Sequence, residues 1–283
     1  MLKQQWQKLK KYTFVRIVFF LLCLALIWLP IAIPLNIILQ KDPNLNTIAT
    51  MGLLLVEFIL LQKLWGTYIY QQPFIFQQYG LKCDRLGIIT FIQGLAIGFS
   101  FCSGLFITQA IFGWLTISNP EDFLLKIVIE GFLSAAGIAF AEELVFRGWI
   151  LNEIEKDFSK NTGLWCSSVL FAVAHFLRPI SEIIRTSIAF PALLILGLSL
   201  VWAKRAYSDR LSVSVGIHGG LVWSYYILNV GNLITYTDRV PEWITGINGN
   251  PIAGVFGLSW MGVLALMMRN RAREKLAVGK TRI

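Results

Sequence analysis

Eight stretches of roughly 20 apolar residues, at about 14–39, 47–66, 86–115, 123–151, 162–177, 180–202, 211–230 and 252–268, occupy most of this chain of 283 residues. That length crosses a hydrocarbon core as a helix. At membrane depth the backbone must satisfy its own polar groups, and a helix does so within one segment. With 56% hydrophobic and 14% charged residues, the composition is too apolar for an ordinary soluble domain. The expected fold is all-α, a polytopic integral membrane bundle of about eight transmembrane helices. Pro30 and Pro34 lie in the first run, so a kink or an early end is expected there. The fifth run is short and carries His175.

The charges are distributed unevenly between the two sets of connections. With the N-terminus cytoplasmic, one side holds the basic residues from Lys3 to Arg16, those from Lys63 to Arg85, Lys156 and Lys160, those from Lys204 to Arg210, and the tail from Arg269 to Arg282. The other side holds only Lys41, Lys126, Arg178, Arg185 and Arg239. That bias fits an even number of spans with both termini cytoplasmic. The net charge of +9 therefore reads as topology and gives no reason to expect a nucleic-acid partner. The first run is too long for a signal peptide and lacks a small-x-small cleavage site, so it is expected to be retained. These features favour a multi-pass protein of a bacterial plasma membrane. Cys23, Cys83, Cys102 and Cys166 show no C-x-x-C spacing, which supports neither a disulfide framework nor a zinc knuckle. No internal repeat is visible. Asn248-Gly249 and Asn250-Pro251 punctuate the polar connection after the seventh run. The chain divides into spans one to three (1–121), spans four to seven (122–230), and a loop, last span and basic tail (231–283).

Within span four, Ala141-Glu142-Glu143-Leu144-Val145-Phe146-Arg147 sets two carboxylates and a guanidinium inside an apolar stretch. Ionisable groups at such depth mark a functional site by default. Glu143 and Arg147, four residues apart, share a helix face and can pair. Glu142 lies about 100° away around the helix and is left free to act as a general base. The bland alternative is a structural ion cluster at a helix end. Only two histidines exist, His175 and His218, and both sit among small residues that let helices approach closely. Glu142 stands about 14 Å of helix rise from the cytoplasmic end of its span and His218 about 11 Å, with His175 somewhat deeper. All three could line one cavity and activate a water.

Glu142-Glu143-x-x-x-Arg147, then Phe171-x-x-x-His175, then His218, in this order, resemble the three motifs of the CAAX prenyl protease and bacteriocin-processing (CPBP, or Abi) family, which includes the type II CAAX endopeptidases. The resemblance spans roughly 123–230, making 122–230 the catalytic core. It implies a glutamate-dependent intramembrane endopeptidase without a metal. Glu142 and His175 would activate the water, His218 would help stabilise the oxyanion, and Glu143 and Arg147 would hold the base. The implied partner is a peptide or lipidated protein substrate at the cytoplasmic leaflet, within membrane lipid. One departure stands out. Four residues after His218, where the family carries Asn or Asp, this chain has Val222. An oxyanion site short of a donor loses a hundredfold or more in rate, unless Asn229 or a backbone N–H substitutes.

Three other readings remain open at the level of sequence. The cavity could bind a membrane partner without catalysis, with Val222 as the supporting feature. Glu142, His175 and His218 could ligate a catalytic zinc, although no H-E-x-x-H helix is present. A proton-coupled transporter would be expected to show repeats with broken helices. Among the remaining polar residues, Glu130 is expected to pair with Lys126, and Gln93 and Gln109 to bond between helices. Glu57, in the middle of span two, has no local partner.

Overall fold

The computed structural model describes residues 12–119, 123–177 and 179–280. Lys3, Lys8, Lys10, Lys11, Arg178 and Arg282 lie outside these residues, as does the boundary at 121. The architecture is helical: α1 Thr13–Ile38, α2 Pro43–Leu64, the short α3 Ile75–Gln78, α4 Arg85–Ile111, α5 Leu124–Glu143, α6 Leu151–Glu155, α7 Lys160–Ala174, α8 Ile180–Thr186, α9 Phe190–Ala206, α10 Leu211–Val230, α11 Glu242–Thr245 and α12 Val255–Lys280. A two-stranded antiparallel ribbon, β1 Leu115–Ile117 with β2 Ile234–Tyr236, ties the end of α4 to the segment after α10, pairing Thr116 with Thr235.

Among the described residues, six helical segments are long and apolar enough to cross a membrane: Thr13–Ile38, Pro43–Ile69, Arg85–Ile111, Leu124–Glu155, Ile180–Ala206 and Leu211–Val230. The expected count of eight is not reached by that measure. The run at 162–177 becomes a helix of 15 residues, about 22 Å long and short of a hydrocarbon core of about 30 Å. The run at 252–268 opens α12, which continues into the charged tail. Nor does α1 end early, since it runs through both Pro30 and Pro34. Spanning helices tolerate the missing donors where neighbouring groups take up the freed carbonyls. Large apolar side chains such as Leu22, Leu26, Ile33 and Ile37 lie exposed along α1, as expected of a face solvated by acyl chains.

Glycine sets the closest helix contact. Gly94 and Gly98 on α4 meet Gly216 and Gly220 on α10 so tightly that a Cβ at Gly94 would run into the Val213 carbonyl oxygen, and one at Gly98 into that of Ile217. The reverse holds for Gly216 against Phe91 and Gly220 against Leu95. Without a hydrophobic drive between helices in lipid, such backbone approach is what gives packing energy. One end of the pair is clamped by Arg210, which donates to both Asp84 carboxylate oxygens at 2.6 and 2.9 Å. Asp84 also caps α4 by accepting from the Gly87 N–H. The Arg210 hydrogen bonds, with the Gly87 N–H, hold the Asp84 carboxyl down to about 2.

The N-terminal helices pack on the rest through Phe20, Phe58, Trp65 and Trp149, whose rings meet at centroid distances of 4.5–5.7 Å. Beside them Arg16 donates to Glu153 at 2.8 Å, Lys156 to the same carboxylate at 2.6 Å, and Tyr70 at 3.0 Å. Glu153 is fully buried. Arg16 is therefore not a solvated flank charge, as its place in the sequence suggested, but half of a buried ion pair. Lys126 and Glu130 stand 4.0 Å apart, both mostly exposed, as expected. Gln93 is exposed, whereas Gln109 is buried with neither amide atom bonded among the described residues, so the expected interhelical bonds are not formed.

Replacing Gly98 by Leu should wedge α4 from α10 and destabilise the fold by about 1–3 kcal/mol. Gly52→Ala, at a position with nothing near its Cβ, should be neutral. Thermal unfolding in detergent compares the two, and equal midpoints would contradict the close approach.

Candidate active site

Glu142 and Glu143 end α5, and the chain then widens into a π-helical stretch, Leu144–Ile150, before resuming as α6. Such widenings recur at functional sites. Here two side chains from other helices bond the carbonyls of the π stretch: Ser167 donates to the Phe146 oxygen at 2.8 Å and Lys204 to the Arg147 oxygen at 2.7 Å. Lys204 is buried, so its ammonium serves as an internal donor and not as a membrane-flanking charge.

The Glu143–Arg147 pair forms as the spacing implied. Arg147 donates to Glu143 Oε1 at 2.8 Å with both side chains wholly buried. Its other amine donates to the Gly197 carbonyl at 3.3 Å, and its plane lies 4.0 Å from the Phe171 ring centroid. Gly197 packs directly on Ser168 of α7, where any Cβ would crowd Ser168. That close crossing brings α9 to the guanidinium.

The histidines come from α10 and from the residue that ends α7. His218 Nδ1 lies 3.0 Å from Glu143 Oε1, so the N–H donates to the carboxylate. His175 Nδ1 lies 2.8 Å from the Phe171 carbonyl oxygen and donates to it. These bonds fix both rings and turn both Nε2 atoms the same way. Glu142 Oε2 stands 3.8 Å from His175 Nε2 and 3.9 Å from His218 Nε2. That oxygen has no hydrogen-bond partner among the described residues. The approach of α5 to α10 relies on small residues, with Ala135 and Ala139 facing Gly219. Five site residues read from the sequence, Glu142, Glu143, Arg147, His175 and His218, thus meet in one cluster built from three helices.

Both imidazoles open on a cavity of about 200 Å³. Its other walls are mainly apolar, with Leu193 and Leu196 of α9, Leu221, Val222 and Tyr225 of α10, and Met261 of α12. Val222 faces this space, so the departure from the third motif falls inside the site. Asn229 does not compensate: it lies at the exposed end of α10, 11 residues and about 16 Å of helix rise beyond His218. A different asparagine, Asn250, lines the cavity. Its Oδ1 accepts from the Ile252 N–H at 3.2 Å, which leaves its NH2 as the available donor. Sequence pattern marked Asn250-Pro251 only as a turn. No group of three His, Cys, Asp or Glu side chains among the described residues has the arrangement of a metal site.

Residues 125–224 match the family model described as type II CAAX prenyl endopeptidase Rce1-like. Over that segment, about a third of the chain, the protein is similar to the CAAX prenyl endopeptidases. All five clustered residues fall inside the matched segment of this Rce1-like domain, whereas Asn250 and the N-terminal helices fall outside it. No curated protein and no solved structure matches the chain.

Arg147→Met should cost about 3–5 kcal/mol, because it strands a buried Glu143 carboxylate. The double replacement Glu143→Gln/Arg147→Met should recover much of that loss. Unfolding midpoints of the two variants give the comparison, and equal destabilisation would contradict a pair that matters through its charge.

Proposed function

We propose that the protein is an intramembrane endopeptidase of the CAAX-protease type, in which Glu142 and His175 activate a water and His218 stabilises the oxyanion. The observation carrying this reading is the placement of Glu142 Oε2 3.8 and 3.9 Å from the two Nε2 atoms. Those separations are too long for direct hydrogen bonds and suit one shared water, which at about 2.8 Å from two such atoms subtends an angle near 90°. Ligands of one tetrahedral zinc stand closer, at about 3.3 Å from each other. The proposal therefore takes water, with no metal, as what the three side chains share.

The hydrogen bonds assign the roles. His175 donates through Nδ1 to the Phe171 carbonyl, which leaves Nε2 to accept a hydrogen bond from the water and orient it. Glu142, the carboxylate that Arg147 does not neutralise, takes the one proton the water loses as it attacks. The attacking oxygen then carries its free lone pair toward a peptide carbonyl seated in the cavity. His218 is held by Glu143 through Nδ1, which presents its Nε2 to the oxyanion. Asn250 supplies the second donor that Val222 cannot. Glu142 then returns its proton to the leaving amine, so the peptide bond is exchanged for a carboxylate and an amine.

The proposed substrate is a peptide or lipidated protein tail entering from the cytoplasmic leaflet, with both termini of the chain on that side. The bias of basic residues supports the orientation. The mainly apolar walls beside the imidazoles suit a hydrophobic segment flanking the scissile bond. They suit equally a cavity that only binds a membrane partner, and Val222 in its lining favours that second reading.

Glu142→Gln and His175→Ala should each abolish cleavage of a peptide substrate in liposomes, with unfolding midpoints close to that of the unchanged protein. Asn250→Ala should lower kcat by about a hundredfold, and Val222→Asn should restore part of it. Cleavage that survives both Glu142→Gln and His175→Ala would refute the peptidase. A partner retained by Glu142→Gln, with no proteolysis by the unaltered protein, would establish the binding role. Metal analysis of active protein, with activity measured in chelator, checks the metal-free reaction.

A further inference from the structure

A second cavity, of about 640 Å³, lies away from the glutamates between the N-terminal turns of α7, the C-terminal half of α9 and the tail end of α12. Its deeper wall is apolar, formed by Leu164 and Trp165 of α7 and Leu198 and Trp202 of α9. Its rim carries Lys160, Arg205, Arg269 and Arg273 against a single carboxylate, Asp209. Arg205 is engaged already, donating to Glu155 at 2.7 Å and to the Lys160 carbonyl at 2.6 Å. Lys160 and Arg273 make no ion pair among the described residues, and Arg269 has only the Trp202 ring, 6.0 Å away. Arg205 lies at the end of the spanning segment Ile180–Ala206, so the rim stands where a headgroup region begins. Leu198 lies nearly two turns further into that span.

We propose that this cavity binds an anionic phospholipid, its phosphodiester held by Lys160, Arg269 and Arg273 and one acyl chain laid against Leu164, Trp165, Leu198 and Trp202. Cations gathered at the rim of a pocket that borders the end of a spanning helix are the electrostatic complement of an acidic headgroup, and tryptophan favours the same interfacial depth. The apolar wall distinguishes a lipid from free phosphate, which would gain nothing from it. A lipid here would contact α7, α9 and α12 together. α7 ends at His175, and α9 supplies both Gly197, which bonds Arg147, and Lys204, which bonds the π stretch. The assignment does not depend on peptidase activity, because its readout is binding alone.

The full chain in detergent micelles, titrated with phosphatidylglycerol or phosphatidylcholine and followed by native mass spectrometry, tests the site. The unaltered protein should retain phosphatidylglycerol at least about tenfold better. Lys160→Gln/Arg269→Gln/Arg273→Gln should bring the two lipids near parity, since each cation lost costs roughly fivefold. Lys63→Gln/Lys82→Gln/Arg85→Gln, which removes as many basic groups elsewhere, should leave the preference intact. Trp165→Ala should weaken retention of both lipids, and inorganic phosphate at equal concentration should not compete. Equal retention of both lipids by the unaltered protein, an unchanged preference in the first triple variant, or equal loss in both triple variants would overturn the proposal. So would competition by inorganic phosphate as strong as that of the lipid.

Discussion

A guanidinium and a carboxylate, both sealed from solvent, hold this bundle to one arrangement of its central helices. Arg147 bonds Glu143 along its own helix and Gly197 across to α9, and its guanidinium carbon sits over the Phe171 ring of α7. Glu143 in turn bonds His218 of α10. Each link satisfies a charge or dipole that would cost several kcal/mol if left alone at such depth. Displacing any one of the four helices breaks at least one link. The pair fixes His218 and occupies Glu143, and by doing so it leaves Glu142 as the carboxylate aimed at the two Nε2 atoms.

The rest of the fold makes that arrangement reachable. The glycines of α4 and α10 bring those backbones together and set the rotation of α10, so that His218, between Gly216 and Gly220, points the other way toward α5. Ala135, Ala139 and Gly219 then let α5 come near. The π stretch after Glu143 changes the helix register just where Arg147, Gly148 and Trp149 must all be buried. Its cost is met from outside, by Ser167 and Lys204 on its carbonyls and by Trp149 in the aromatic cluster of α1 and α2. The N-terminal helices thus brace the segment that bears the site, although they lie outside the matched family domain.

Sequence pattern showed the site more fully than the supports around it. Glu142, Glu143 and Arg147 were legible because a charge in an apolar run is conspicuous and helical spacing says which carboxylate pairs. The two histidines were legible because there are no others. Lys204 and Arg16 were not, since each stands near the end of an apolar run, where a charge usually meets a headgroup, and only the packing of distant helices buries them. Asn250 was hidden for a similar reason: a turn residue looks the same whether its amide faces water or a cavity. Pro30 and Pro34 gave reason to expect an early end that does not occur, since the helix runs on through both. Among the described residues two of the eight runs are not counted as spans: α7 has the composition of a span without its length, and the run at 252–268 opens a helix that continues into the charged tail.

Length and polarity together explain how an apolar bundle could admit the water that the proposed reaction consumes. α7 stops at Ala174, and His175 follows as its cap, about a third of its side chain or less exposed, like that of Glu142. Glu142 and His175 keep part of their side chains exposed, although Glu142 Oε2 itself is sealed, while His218, on the uninterrupted α10, is almost wholly buried. The two side chains proposed to activate water are therefore the more exposed of the three, and the proposed oxyanion donor is the most buried. That ordering suits hydrolysis in lipid. The nucleophile must arrive from water, whereas the charge developing on the carbonyl oxygen is stabilised most strongly where water is excluded and the donors are already fixed.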